Sequence, residues 1–488
     1  MRLLVAAAIV AGFAAAPRVA AAESQISPYV VIMRCQGGCS IHGGVDDARA
    51  NSSSLPCAGT PVCQGGGCFC QAGSSGDYVI EEFKNAQGET GAAADAEWNQ
   101  IMLCIREIYS PYGVIVTETP PTGGVPFNVG IAAGRPENIG YSSSQIAGIA
   151  PGTPGCEPRE NVISFSFANI YSGSRRVKNI CETIAQETAH AYGLDHAFMF
   201  TDGRSACTDP MTYRNDCGGQ KFFRNASAKC GEFQSRSCSC GGLQNSHQRL
   251  VSIFGPGTPI TTPPTLTVSS PTTGATISNG HVVLATSGAQ RGVAKLELWL
   301  NDYLWLTAKG VEFGPSGQPE TQYSMPLPAD VPDGIIDLVV KAFDDINVET
   351  DSPVITVTKG APCTSAATCA KGQQCEAGKC FWAPPTGKTG DACDYPQFCE
   401  NGFCLDTTDG MYCSQTCVVG VADSCPMGFT CEGEAGQTGS CVHESASEGG
   451  CCSAGGDSRA AALLSFGVLG VLLVRPRRRR RPRAGLPA

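Results

Sequence analysis

The chain has 488 residues with 34 basic and 44 acidic side chains, which gives a formal net charge of −10. This length accommodates roughly three domains of about 150 residues. Seven arginines lie between Arg475 and Arg483, so the remainder of the chain is more acidic than the total implies. An acidic body argues against nucleic acid or anionic lipid as a partner.

The first 22 residues have the three parts of a secretion signal. Arg2 gives a positive start, residues 3–16 are apolar, and three alanines form a small-residue cleavage site before Glu23. A buried N-terminal helix is the alternative interpretation. We expect residues 1–22 to be a signal peptide and the protein to be exported.

Cysteine usage agrees with export, because 28 cysteines would be hazardous in a reducing cytosol but suit an oxidising exterior. Fourteen lie between Cys35 and Cys240, twelve between Cys363 and Cys441, and two at Cys451 and Cys452. Each group is even, so each can be fully paired within itself, although the sequence does not determine the pairing.

Residues 23–254 predict an α/β (α+β) domain. Helical spacing over 97–110 places four large side chains on one face: Trp98, Ile101, Ile105 and Ile108. Strands are predicted at 113–119, 127–134 and 161–169, before a second helix that ends near Gly193.

The end of this second helix, CETIAQETAHAYGLDH at residues 181–196, predicts a metal site. Gln186 and His190 are four residues apart and share a helix face. Gly193 can adopt a positive φ and reverse the chain, which brings His196 towards the other two side chains. Imidazole nitrogens suit Zn²⁺, and catalytic zinc sites leave one coordination position open.

Two more features bear on catalysis. Glu187 offers a carboxylate that can take a proton from a water activated by the ion. Fifteen residues beyond the second histidine, DPMTY contains Met211 and Tyr213. Together these residues resemble the metzincin metalloproteases, whose H-E-x-x-H-x-x-G-x-x-H motif precedes a turn containing methionine. The resemblance covers residues 77–254.

The resemblance implies a zinc-dependent endopeptidase that acts on protein or peptide substrates. The family's zinc ligands correspond to Gln186, His190 and His196. It implies Glu187 as the general base, Met211 as packing beneath the ion, and Tyr213 as a contact to the metal or to the tetrahedral intermediate. An ordinary buried helix with two satisfied histidines is the structural alternative.

Gln186 departs from the family motif, which has histidine at that position. Its amide oxygen is a harder and weaker zinc donor than an imidazole nitrogen. Three outcomes are possible. The protein binds zinc with reduced affinity and hydrolyses peptides, or it binds zinc too weakly for catalysis and serves as a surface adhesion or recognition protein. In the third outcome it binds no zinc. Asp195, His42 and His247 are alternative ligands. We expect Gln186 to serve as a weak ligand.

Cysteines near the site have two interpretations. Cys35, in MRCQGGC, could cap the metal as a latency switch, but we expect a structural disulfide instead. Cys207 and Cys217 flank the methionine turn, and we expect them to form bridges that stabilise it.

Residues 255–264, GPGTPITTPP, predict a semi-rigid linker. Residues 265–359 then read as short strands separated by turns, in a pattern that resembles an all-β immunoglobulin-like sandwich. Trp299 and Trp305 are expected to be core or interface residues, with stacking on a sugar as the alternative.

Residues 361–445 predict small disulfide-rich modules. They contain few large apolar residues, so disulfides must replace a hydrophobic core. A zinc interpretation is disfavoured because no histidine lies among these cysteines in the pattern of a zinc site. We expect a stalk or an adhesion module.

Residues 449–488 combine GGCCSAGG, the apolar run Ala460–Val474 and an arginine-rich end. About 20 residues are usual for a membrane span, so this run is short. The tail resembles the myxobacterial C-terminal sorting signals of the MYXO-CTERM type. This implies transient or anchoring membrane contact, cleavage near Cys451 or Cys452, and display at the cell surface; a permanent anchor is the alternative.

Overall fold

The computed structural model describes the chain in ten stretches. These are residues 26–64, 67–142, 146–153, 156–198, 208–214, 219–310, 320–408, 410–419, 424–433 and 438–443. Within them the protein is multidomain and rich in β-structure. The predicted signal peptide, the sorting tail, and the expected bridges of Cys207 and Cys217 lie outside the described residues.

The first unit contains the three α-helices of the described residues and a set of short strands. The helices are α1 (Asp95–Tyr109), α2 (Arg176–His190) and α3 (Ser246–Phe254). The strands are β1 (Tyr29–Met33), β2 (Cys39–Gly43), β3 (Ser52–Ser53), β4 (Pro61–Gln64), β5 (Gly67–Cys70), β6 (Asp77–Ile80), β7 (Ile115–Thr117), β8 (Asn128–Ala132), β9 (Gly148–Ile149) and β10 (Ile163–Ser166).

Five of these strands form one sheet in the order β7–β1–β8–β10–β9. The first four run parallel, whereas β9 lies antiparallel to β10 at one edge. Strands β8 and β10 are buried along their whole length, as parallel strands are when their faces are covered. Helix α2 packs against β8, β9 and β10, and a disulfide between Cys104 and Cys181 ties it to α1.

The structure confirms the predicted helix at 97–110 as α1. Its four apolar side chains are each at most 2% exposed. The strand predicted at 113–119 is shorter than expected, because the N–H of Gly113 donates to the carbonyl of Gly255 at 3.1 Å, outside the sheet. The strands predicted at 127–134 and 161–169 are similarly reduced to β8 and β10.

Residues 265–359 form a β-sandwich, as predicted. Its strands are β11 (Thr265–Ser270), β12 (Thr276–Ile277), β13 (Val282–Gly288), β14 (Lys295–Leu300), β15 (Tyr303–Lys309), β16 (Thr321–Pro326), β17 (Gly334–Phe343), β18 (Glu349–Asp351) and β19 (Ile355–Lys359). One sheet has the order β11–β13–β16, and the other has β12–β19–β17–β14–β15 with β18 paired to β17. Alternating buried side chains on β17 fill the core between the sheets.

The segment predicted as a linker is hydrogen-bonded to the first unit. Gly257 N–H donates to the carbonyl of Pro111 at 2.8 Å, and Ile260 N–H donates to Ser110 Oγ at 3.0 Å. Residues 255–264 therefore follow the surface of the first unit, which fixes where the sandwich begins.

Trp305 lies at the junction of the sandwich with the third unit. Its ring centroid is 5.2 Å from that of Trp382, which also packs against Tyr303 at 4.6 Å. Asn301 Nδ2 donates to the carbonyl of Cys380 at 2.8 Å across the same junction. Trp305 is thus an interface residue, as expected.

The third unit repeats one disulfide pattern three times. Its hairpins and short strands are β20 (Gln373–Glu376), β21 (Lys379–Trp382), β22 (Cys404–Thr407), β23 (Gly410–Cys413), β24 (Thr416–Val418), β25 (Phe429–Glu432) and β26 (Thr438–His443). In each group of four cysteines the first pairs with the third and the second with the fourth. The pairs are Cys363–Cys375, Cys369–Cys380, Cys393–Cys404, Cys399–Cys413, Cys417–Cys431 and Cys425–Cys441. The cysteines that lie close together in this unit are therefore paired in disulfides, as expected for small disulfide-rich modules.

The disulfides are those of an extracellular or secreted protein. Among the described residues, no helix has the length and apolar character needed to cross a bilayer. The candidate span at 460–474 lies outside the described residues.

Candidate metal centre

Helix α2 and the turn after it bring the predicted ligands into one cleft. Gln186 and His190 lie on the last turns of α2. Gly193 follows with φ +79°, a conformation that L-residues rarely adopt, and a Cβ there would lie 2.9 Å from the guanidinium of Arg249. The chain reverses at this glycine and places His196 against His190, as the sequence predicts.

The two histidines face each other through the same ring atom. His190 Nε2 and His196 Nε2 are 3.1 Å apart. His190 Nδ1 lies 2.7 Å from the carbonyl of Leu194, and His196 Nδ1 lies 2.8 Å from Oε1 of Glu232. Since both partners are acceptors, each Nδ1 carries the proton and both Nε2 lone pairs point into the same space.

This geometry fits a zinc ion. In a tetrahedral site with bonds of about 2.0–2.1 Å, neighbouring ligand atoms lie about 3.3 Å apart. The Nε2 pair is at 3.1 Å, and the hydroxyl of Tyr213 is 3.3 Å from His196 Nε2. Burial, and then the proximity of His196, lowers the pKa of His190 to about 3. His190 is therefore neutral near pH 7, the form that binds a metal.

Met211 and Tyr213 come from the turn that follows the second histidine. Met211 is completely buried, and its carbonyl accepts a hydrogen bond from Ala197 N–H at 2.9 Å. This bond holds the turn beside His196. The ring of Tyr213 lies 4.6 Å from that of His196, and burial raises the pKa of Tyr213, so the hydroxyl remains protonated.

Gln186 lines the cleft and is 8% exposed. Its Nε2 is buried and has no hydrogen-bond partner among the described residues. An unpaired buried polar atom costs about 1–3 kcal/mol. The amide nitrogen therefore makes no hydrogen bond within the described part of the fold, which leaves it available to a ligand in the cleft.

Glu187 is held between α2 and the edge strand β9. It is 7% exposed, and burial raises its pKa to about 8. A Cβ on Gly148 of β9 would lie 2.7 Å from Glu187 Oε1 and 2.6 Å from Glu187 Cγ. The absence of a side chain at Gly148 is what gives the carboxylate room at the wall of the cleft.

The cleft has a volume of about 720 Å³. One wall is the segment Ile146–Thr153 that includes β9, and the other is the face of α2 that carries Gln186, Glu187 and His190. Tyr213 and the exposed Phe233 line the cleft near His196. It is large enough for several residues of an extended peptide.

The alternative ligands considered from the sequence are engaged elsewhere. Asp195 accepts hydrogen bonds from Arg236 and from Ser239. His42 is exposed and pairs with Asp77, and His247 Nδ1 lies 3.1 Å from the hydroxyl of Tyr112. Cys35 is bonded to Cys39, so the expected structural disulfide is confirmed and the latency switch is not.

The sequence analysis missed Glu232. It lies in a loop closed by the disulfide Cys230–Cys238, and Arg236 Nη2 donates to its Oε1 at 3.0 Å. Burial opposes its ionisation, but hydrogen bonds from His196 and Arg236 lower the pKa of Glu232 below its usual range. The sequence does show that Glu232 lies between two closely spaced cysteines, Cys230 and Cys238. That spacing does not reveal which histidine the carboxylate contacts.

No protein-family model and no curated protein sequence matches this chain. Among solved structures, the fibronectin(III)-like modules of Clostridium thermocellum CbhA are similar at 18% identity, over 20% of this chain and 94% of that chain, with a TM-score of 0.15. Wild-type OgpA from Akkermansia muciniphila is similar at 11% identity, over 48% of this chain and 65% of that chain, also with a TM-score of 0.15. These TM-scores are too low to assign a shared fold.

Proposed function

We propose that the protein is a secreted or surface-displayed zinc-dependent endopeptidase whose catalytic unit is metzincin-like. The observation that carries the proposal is the pair of imidazole Nε2 atoms 3.1 Å apart, in the same cleft as the buried carboxylate of Glu187. Two lone pairs at this distance repel each other unless a cation or a proton lies between them.

The arrangement of the first unit supports the family resemblance. Four parallel strands with one antiparallel edge strand lie beneath a helix that carries the motif. The glycine turn and the methionine turn then follow in the order that the resemblance implies. The disulfides support export, and surface display by the C-terminal tail remains part of the proposal.

The residues of the cleft divide the chemistry between them. Zinc held by His190, His196 and Gln186 would supply Lewis-acid polarisation of the substrate carbonyl and would make water more acidic. Glu187 in its ionised form accepts the proton of the attacking water and passes it to the leaving amine. The hydroxyl of Tyr213 donates a hydrogen bond to the oxygen that becomes negative.

The edge strand gives the substrate a place to lie. Strand β9 pairs with β10 on one side and ends the sheet on the other. An extended peptide can add to such an edge through main-chain hydrogen bonds. In that position its carbonyls pass beside Glu187, because Glu187 packs on Gly148 of the same strand.

A test compares the exported full-length chain with two variants, Glu187→Ala and Gln186→His. Metal content is measured by mass spectrometry and activity by casein or peptide cleavage. We expect about one zinc per chain, with cleavage lost and zinc retained in Glu187→Ala.

A second function is favoured by Gln186, since an amide replaces an imidazole in the ligand set. A wild-type protein without zinc or activity, which gains zinc only on Gln186→His, would contradict the enzyme. That result would indicate a surface adhesion or recognition protein built on the same unit.

A further inference from the structure

We infer that Glu232 is a positioning residue for the proposed metal centre, which strengthens His196 as a donor and offsets the weak amide ligand at Gln186. This inference rests on the proposed function. It is carried by the contact between Glu232 and the ring atom of His196 that points away from the cleft.

The contact is short and shielded from solvent. His196 Nδ1 donates to Glu232 Oε1 at 2.8 Å, and the two side chains are 14% and 12% exposed. A hydrogen bond from imidazole to a carboxylate fixes the tautomer and orientation of the ring and makes its other nitrogen more basic. Both effects act on the Nε2 atom that faces His190.

The loop that carries Glu232 is fastened to the chain at His196. Gly231 N–H donates to the carbonyl of His196 at 2.9 Å, and Phe198 N–H donates to the carbonyl of Lys229 at 2.8 Å. Within the loop, Arg236 N–H donates to the carbonyl of Cys230 at 2.7 Å. Glu232 is therefore the residue next to Gly231, whose main chain is hydrogen-bonded to His196, the histidine that the carboxylate contacts.

The loop is also closed covalently and electrostatically. The disulfide Cys230–Cys238 closes its ends. Arg236 joins Glu232 to Asp195, since its Nη2 donates to Glu232 at 3.0 Å and to Asp195 at 2.7 Å. This ion-pair network restricts the carboxylate to one orientation, so that its Oε1 faces the imidazole.

The two histidines are supported unequally. His190 Nδ1 contacts the neutral carbonyl of Leu194, whereas His196 Nδ1 contacts an ionised carboxylate. A neutral carbonyl orients an imidazole but adds less electron density than an anion does. The amide of Gln186 is a weak third ligand. Glu232 should therefore add more to the zinc affinity here than it would in a site with three imidazole ligands.

The test measures zinc affinity by competition with a coloured chelator, using the full-length chain. Glu232→Gln keeps an acceptor for the imidazole N–H but removes the charge, and Glu232→Ala removes both. Glu157→Gln is the matched control, because Glu157 is exposed and does not line the cleft. The absorption spectrum of bound Co²⁺ provides a second readout, since it responds to ligand geometry and strength.

We expect zinc affinity to fall by about 10- to 100-fold in Glu232→Ala and by a smaller factor in Glu232→Gln. We expect a changed Co²⁺ spectrum in both, and no change in Glu157→Gln. The effect should be smaller in a Gln186→His background, and the difference between the backgrounds measures the coupling of the two positions.

Three outcomes overturn the inference in different ways. Unchanged zinc affinity in Glu232→Gln and Glu232→Ala shows that Glu232 only braces the loop, and leaves the proposed function intact. An equal loss of zinc affinity in the wild-type and Gln186→His backgrounds shows that Glu232 positions His196 but does not offset the weak ligand at Gln186. A wild-type chain that binds no zinc removes the proposed function as well. If Glu232→Ala does not fold, the isosteric Glu232→Gln decides.

Discussion

Asp345 of the sandwich lies 3.4 Å from the guanidinium Nε of Arg224 in the first unit. Asp345 also accepts from Arg291 Nε at 2.8 Å and from Asn225 N–H at 3.2 Å. Arg291 is 1% exposed and donates to the carbonyl of Phe223 at 3.0 Å. One carboxylate thus joins two arginines, one from each unit, to the main chain of the first unit.

This junction continues to the methionine turn. The main-chain N–H of Arg224 donates to Asp209 Oδ2 at 2.9 Å, and Met211 N–H donates to Asp209 Oδ1 at 2.9 Å. Met211 in turn holds Ala197, the residue after the second histidine. The sandwich is therefore connected to the candidate site by consecutive hydrogen bonds.

Replacing Asp345 is expected to destabilise both units. Asp345→Ala removes the carboxylate that Arg224 and Arg291 share and leaves Arg291 with Asp344, whose Oδ2 is 3.7 Å from its Nε. Removing one partner of a buried ion pair costs about 3–5 kcal/mol. Asp351→Ala is the control, because Asp351 pairs with Lys341 at the surface and such pairs contribute about 0–1 kcal/mol. Calorimetry should show a lower unfolding temperature for Asp345→Ala only; equal shifts in the two variants would refute the role of the junction.

The pH dependence of stability isolates the same carboxylate. Burial raises the pKa of Asp345, but Arg224 and Arg291 outweigh it and hold the pKa below its usual range. The neighbouring Asp344 behaves oppositely, because burial raises its pKa. A carboxyl group whose pKa is lowered in the folded state stabilises the fold at pH values above its unfolded-state pKa of about 3.9. This stabilisation is lost as the pH falls through the folded-state pKa.

The measurement compares wild type with Asp345→Asn, in which Asp344 is retained. The difference in free energy of unfolding should be constant above about pH 5 and should shrink as the pH falls below about 4. A difference that grows on acidification would contradict the sign of the shift.

The space at Gly148 sets the position of Glu187, the proposed general base. In Gly148→Ala the new methyl group would lie 2.6 Å from Glu187 Cγ and 2.8 Å from Thr183 Cγ2, so the carboxylate must move. Misplacement by about 1 Å can cost about 100-fold in rate. We expect kcat to fall by about 10- to 100-fold with zinc content unchanged.

Gly152→Ala is the matched control for this substitution. Gly152 lies in the same wall of the cleft, but a Cβ there meets no atom within 4 Å. Its activity should stay within about twofold of wild type. Similar losses in both variants would indicate a general effect on the wall and not on Glu187.

Tyr213→Phe tests the hydroxyl that lies 3.3 Å from His196 Nε2. Loss of one hydrogen bond to a developing oxyanion costs about 100- to 1,000-fold in kcat. We expect this loss with little change in KM. Tyr141→Phe, which removes a hydroxyl bound to the carbonyl of Leu55 at 3.0 Å, should leave kcat unchanged. An active Tyr213→Phe enzyme would assign the hydroxyl to packing.

The short motif could be interpreted from sequence because its geometry is local. Helical periodicity fixes the relation of Gln186 to His190, and the positive φ of Gly193 fixes the reversal. His196 follows three residues later, so little else is needed for the two rings to meet. The strand ends were less predictable. Gly113, the first residue of the stretch 113–119, donates its N–H to the carbonyl of Gly255, a contact that no local pattern indicates.

The sequence by itself determined the order of the units, the export signature of the cysteines, and the convergence of two histidines with a buried carboxylate nearby. Only the tertiary structure decided the disulfide pairing, the contact of Glu232 with His196, and the connection from Asp345 to the methionine turn. The reason is physical. Helix and turn geometry depends on neighbours in the chain, whereas Glu232 is 36 positions from His196 and Asp345 is 120 positions from Asn225, so these contacts exist only after the core brings their elements together.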